Sequence, residues 1–150
     1  MPILKHHVIQ AAQRKLDSMI AGHKDRINDL RSATVRDEVQ ETASQSERNR
    51  EADIELLDRF SEQAERLEHE RDLLGRFDPK AHMDTVQPGA VVLTDQRGFL
   101  VGASVEEFES DGHAYMGLSV QAPLYKVLEG KRTGDQVSYQ GVVYTILGVR

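Results

Sequence analysis

The chain has 150 residues, room for one ordinary domain or two small ones, and its apolar and aromatic residues are too sparse for a single large core. It has no cysteine, which excludes disulfides and thiolate metal sites and permits a reducing compartment. The formal net charge is −6 and is unevenly spread: residues 1–34 carry six Lys or Arg against three Asp, and residues 35–75 carry thirteen Asp or Glu against six Arg. No basic stripe with interleaved aromatics is present, which argues against direct binding to duplex nucleic acid. The first residues, Met1 to His7, contain no apolar stretch long enough for a signal peptide or membrane span, so the cytoplasm is the default location.

The N-terminal half carries two apolar seams with the alternating three- and four-residue steps of heptad packing. The first is Ile9, Leu16, Ile20, His23, Ile27 and Leu30; the second is Leu57, Phe60, Ala64, Leu67 and Leu74, with Arg71 at one seam position. Pairing residue 30 with residue 54, or residue 9 with residue 74, gives the same apex close to residue 42. An antiparallel helical hairpin over residues 1–75 follows. At about 1.5 Å per residue its first helix, from Leu4 to Glu41, would be on the order of 55 Å long.

Arg31 to Asp53 is poor in apolar residues, so helix there rests on propensity and on the adjoining seam. Thr42 to Ser46 reads as the turn, and Ser44 with Glu47 fits a capping box that opens the second helix. Gly75 supplies a C-cap, and Pro79 prevents continuation. Residues 76–85 form a linker.

From residue 86 the pattern changes to short β-runs. Ala90–Thr94 and Phe99–Ala103 flank a turn at Asp95–Gly98, and Ala114–Val120 is a third strand. Pro123 opens a short helix from Leu124 to Glu129, ended by Gly130. Gln136–Tyr139 and Val142–Leu147 close as a hairpin around Gln140-Gly141. The fold class is α+β: a long antiparallel hairpin, then an antiparallel sheet with one short helix over residues 86–150.

Leu118-Ser119-Val120-Gln121-Ala122-Pro123-Leu124, then Leu128-Glu129-Gly130-Lys131 and Gly134-Asp135-Gln136-Val137, resembles the C-terminal domain of the bacterial Gre-type transcription elongation factors. That family has an Ile/Leu-Ser strand end, a Ser-Pro-Leu helix start, a Leu-x-Gly-Lys helix stop and a Gly-Asp-x-Val turn. Order and spacing hold here, with Ala122 in place of the usual Ser. The resemblance implies an FKBP-like domain that docks on RNA polymerase, with Ser119, Pro123, Leu124, Gly130, Lys131 and Asp135 on the partner-binding side. It also implies a coiled coil that enters the polymerase secondary channel and approaches the catalytic magnesium.

The tip departs from the family, which carries Asp-Leu-Lys-Glu-Asn-Ala-Glu-Tyr there. The nearest analogue is Asp37-Glu38-Val39-Gln40-Glu41. Glu38 and Glu41 have the three-residue spacing of the family's acids, Asp37 and Glu41 are four apart, and either pair lies on one helical face. Two carboxylates on one turn can share Mg²⁺, which takes oxygen ligands and keeps several waters. Beside another protein's metal-binding aspartates, Asp37, Glu38 and Glu41 could hold a second ion and activate its water for phosphodiester hydrolysis. Glu47, across the turn, could join them. A solvated acidic helix end is the plain alternative.

The remaining chemistry is thin. His6 and His7 are adjacent and face different sides of a helix, His23 sits in a seam, and His69, His82 and His113 lack metal-ligand spacing. Gly130-Lys131 lacks the upstream glycines of a phosphate-binding loop. The expectation is therefore a monomeric, cytoplasmic protein that is not itself an enzyme. It has no cofactor of its own, shares Mg²⁺ with the polymerase, and meets nascent RNA only indirectly. A channel binder that inhibits without cleavage, and a coiled-coil module whose partner is not polymerase, are the competing readings.

Overall fold

A computed structural model describes residues 3–40 and 43–150, with side chains described for residues 3–33 and 48–150. Two long helices open the chain, α1 (Lys5–Gln40) and α2 (Ala43–Gly75). Six strands and a short helix follow: β1 (Val91–Thr94), β2 (Gly98–Val101), β3 (Val105–Ser110), β4 (His113–Leu118), α3 (Pro123–Leu128), β5 (Gln136–Tyr139) and β6 (Val142–Val149). The class is α+β, as the periodicities require. The chain divides into two compact units, Asp17–His69 and a second that joins Met1–Leu16 to Glu70–Arg150.

Within Asp17–His69 the two helices run antiparallel. The His23 and Phe60 rings lie 6.1 Å apart, the Arg26 guanidinium sits 5.9 Å from the Phe60 centroid, and Lys24 Nζ meets Glu68 Oε1 at 3.2 Å. Ile20, His23, Ile27 and Leu30 on one helix, and Leu57, Phe60 and Leu67 on the other, are half-buried, and Ala64 is buried. Partial burial is what a two-helix pair permits, because each helix covers only one face of its neighbour. The exposed Lys24–Glu68 pair adds a few tenths of a kcal/mol up to about 1.

In the other unit the strand order is β3-β4-β2-β1-β6-β5. Neighbouring strands are antiparallel except β2 and β4, which run parallel with Gly98 opposite Tyr115 and Val101 opposite Leu118. This corrects the all-antiparallel expectation. The physical source is β3, a strand with no apolar run to mark it in the sequence. The chain leaves β2 through Gly102 at φ +114°, skips one strand position to lay down β3, and returns as β4 in the gap. A parallel pair results.

The core on one sheet face contains Val92, Phe99, Val101, Ile146 and Val149 from the sheet, with Tyr125 and Leu128 from α3. Val91 and Leu100, paired across the β1–β2 ladder, belong to the opposite face and are equally buried. Strands covered on both faces read as continuous apolar runs, as Val91-Val92-Leu93 and Phe99-Leu100-Val101 do. Helical residues of the same unit, Val8, Ala12, Leu16 and Leu74, are buried as well. Each fully buried Leu, Val or Phe contributes about 1.5–3 kcal/mol. Polar ties join the helix ends to the sheet domain: Lys5 Nζ donates to Ala81 O at 2.8 Å, and Ser104 N donates to Glu70 Oε2 at 2.7 Å. No helix among the described residues is long and apolar enough to cross a membrane.

Candidate functional site

The tip acids fall where α1 gives way to α2. Asp37 and Glu38 belong to the C-terminal end of α1, which stops at Gln40, and α2 begins at Ala43. Glu41 lies outside the described residues, as do the side chains of Asp37, Glu38 and Glu47. The backbone beside the acids consists of two helices of 36 and 33 residues, the first ending at Gln40 and the second beginning at Ala43. The antiparallel contact of His23 with Phe60 is centred in sequence between those two ends.

The sheet-domain residues singled out by the resemblance are held by identifiable local chemistry. Ser119 makes the turn into α3, its Oγ accepting from Gln121 N at 3.2 Å and its carbonyl from Ala122 N at 3.0 Å. Pro123 occupies the first helical turn, where a missing N–H costs nothing, and it is exposed. Leu124 packs partly against the core. Gly130 takes φ +75°, and its N–H donates to Val86 O at 2.9 Å. Val86 N in turn donates to Lys131 O at 2.9 Å, so the α3 stop is stitched to the segment that precedes β1. Asp135 Oδ2 accepts from Arg132 N at 2.8 Å, and Asp135 O from Ile146 N at 2.9 Å. The motif residues Pro123, Gly130, Lys131 and Asp135 are each exposed to solvent.

Burial pushes the Tyr125 hydroxyl above its ordinary pKa, with a smaller push from Glu129. Tyr115 is raised by burial first and by Asp111 second. Lys5 is lowered by burial, and Asp78 opposes that shift. Among the described residues no group of three His, Asp or Glu side chains is disposed to hold a metal ion. His6 and His7 take different surroundings: His7 Nδ1 meets Asp111 Oδ2 at 2.9 Å, whereas His6 faces a cavity with Lys5. The sequence assigns no role to Lys5 or Lys80 and marks His82 only as a histidine without metal-ligand spacing. Two short basic triplets, Lys5-His6-His7 and Lys80-Ala81-His82, were the signal available.

No family model matches this chain, and no curated protein matches it. Among solved structures it is similar to one described as the structure of the transcription factor Gfh1, at 17% identity over 93% of each chain, with a TM-score of 0.36.

Proposed function

We propose that this chain is a Gre-like regulator of bacterial RNA polymerase, which docks through an FKBP-like sheet domain and inserts its acidic-tipped helical pair into the secondary channel. There it stimulates the polymerase's own cleavage of backtracked RNA. Asp37, Glu38 and Glu41 help position a second Mg²⁺ and its attacking water, and the polymerase supplies the first metal site. The chain itself is not an enzyme. One observation carries the reading: two long antiparallel helices joined beside these acids precede a sheet domain that bears the Leu118–Val137 motif series.

The test is transcript cleavage by halted bacterial elongation complexes with the purified protein. Shortened RNA that is lost with Glu41→Ala and Asp37→Ala supports the proposal. Shortening that persists in both variants refutes the assigned acids, and no effect on polymerase in any assay refutes the partner.

A second reading is favoured by the absence of the family's Asp-Leu-Lys-Glu-Asn-Ala-Glu-Tyr run. The protein then occupies the channel and inhibits or modulates polymerase without cleavage. Competition with a cleavage-stimulating Gre factor, with no RNA shortening of its own, distinguishes this case.

A further inference from the structure

A cavity of about 210 Å³ lies beside the first turn of α1, within the unit that holds the sheet. Five of its nine lining residues are basic, Lys5, His6, Lys80, His82 and Arg150, and none is acidic. Lys5 is 6% exposed, an unusual place for an ammonium, because a buried charge is costly unless paired. One of its three N–H donors goes to Ala81 O at 2.8 Å, leaving two without a partner among the described residues. Asp78 acts on Lys5 at longer range, and its Oδ1 already accepts from Lys80 N at 2.9 Å.

Lys80 and His82 are solvent-exposed at the mouth, with His82 Nε2 3.5 Å from Asp84 Oδ1. The start of α1 adds its own positive end. Its first turn has no acidic residue, and the N–H groups of Lys5 and His6 fall in the stretch that has no partner within a helix. Backbone amides, ammoniums and imidazoles together form a donor set suited to a multiply charged oxyanion. A water molecule takes about 30 Å³ of liquid, so the space exceeds a single small ion.

We propose that this cavity binds a phosphoryl group, with Lys5, Lys80, His82 and Arg150 as its ligands. The site shares no residue with the acids at 37–41 and does not depend on the polymerase reading.

Calorimetric titration of the full chain with inorganic phosphate and with pyrophosphate, against chloride at matched ionic strength, tests it. Saturable binding is expected, weakened at least tenfold in Lys80→Gln/His82→Gln and unchanged in Lys126→Gln, an exposed lysine on α3. Pyrophosphate binding more tightly than phosphate would show that a second phosphoryl group is seated. The His6 and His82 imidazole proton resonances should shift on titration while that of His69 stays fixed. Non-saturable binding overturns the proposal, as does saturable binding that the double substitution leaves intact. Equal weakening by Lys126→Gln would reveal a general charge effect and overturn it too.

Discussion

Gly98 and Tyr115 are partners across the parallel β2–β4 ladder, and the tyrosine ring occupies the space that any side chain at position 98 would need. A Cβ at Gly98 would fall inside contact distance of ring atoms Cδ1 and Cε1. On the other flank Tyr115 pairs with Phe108 of β3, the rings stacked at 5.9 Å and 19°. Gly98→Ala must therefore displace a ring wedged between two strands. Overpacking of this kind costs about 1–3 kcal/mol. For a chain of this size each kcal/mol lowers Tm by about 2–4 °C. A Gly98→Ala melting curve indistinguishable from the parent would contradict the packing described.

Gly22 makes the opposite case. It lies inside α1, and an added Cβ would meet nothing within 4 Å. Gly22→Ala should stabilise the helix by about 0.5–1 kcal/mol, seen as a higher urea midpoint at unchanged slope.

Much of this architecture was legible because the helical seams are long. Ile20, His23, Ile27 and Leu30 repeat often enough for the period to show, and the apex near residue 42 follows from pairing residue 30 with residue 54 and residue 9 with residue 74. β3 was illegible for a definite reason. Its register shifts between Val105 and Phe108, so the buried residues Val105, Phe108 and Ser110 break strict alternation. Its glutamates further disguise it, as charges on an edge strand do. Missing β3 hid the parallel ladder as well. The turns around Ser119, Gly130 and Asp135 were visible as a motif, whereas the cavity at Lys5 depends on Ala81, seventy-six residues away. No local pattern announces such a pairing.

His23 is a polar residue in an apolar seam, and its Nδ1 is buried without a hydrogen-bond partner among the described residues. An unsatisfied buried polar atom costs about 1–3 kcal/mol. His23→Leu removes that penalty and keeps an apolar body against Phe60, so it should raise stability by about 1 kcal/mol. His23→Ala loses the contact and should gain less or fall. Native-state hydrogen exchange of the amides in residues 17–33 reads the effect locally. Slower exchange in His23→Leu is expected, and faster exchange would show that the imidazole stabilises the pair.

Thr94 closes the β1–β2 turn with a hydroxyl that is fully used. Oγ1 donates to Arg97 O at 2.6 Å and accepts from Gln96 N at 3.2 Å and Arg97 N at 3.1 Å. The residue is 4% exposed, so Thr94→Val keeps the shape but removes the acceptor of two N–H groups, while the Arg97 carbonyl keeps its bond from Thr94 N at 3.0 Å. A loss of about 1–3 kcal/mol is expected from equilibrium denaturation. Thr94→Ser should recover most of it, because the hydroxyl returns. Equal stability of the Val and Ser variants would mean that the hydrogen bonds are not the source.

Alkaline titration sets Lys5 against two tyrosines. The Lys5 pKa lies below its ordinary 10.5, so between the lowered value and 10.5 the unfolded chain binds more protons, and stability rises with pH. Tyr115 and Tyr125 have pKa values above their ordinary 10.0, so the unfolded chain loses these protons first. Their contribution is intact below pH 10 and is lost as pH rises through the raised values. Urea midpoints from about pH 8 to about pH 11 should therefore climb or hold, then fall. Lys5→Met removes the climb even though it also sacrifices the bond to Ala81, because a lost bond shifts the level of the curve and not its slope. Tyr115→Phe and Tyr125→Phe shrink the fall. If the Lys5→Met profile keeps the parent's rise below pH 10, the buried ammonium is not its origin, and the burial of Lys5 beside the cavity is misassigned.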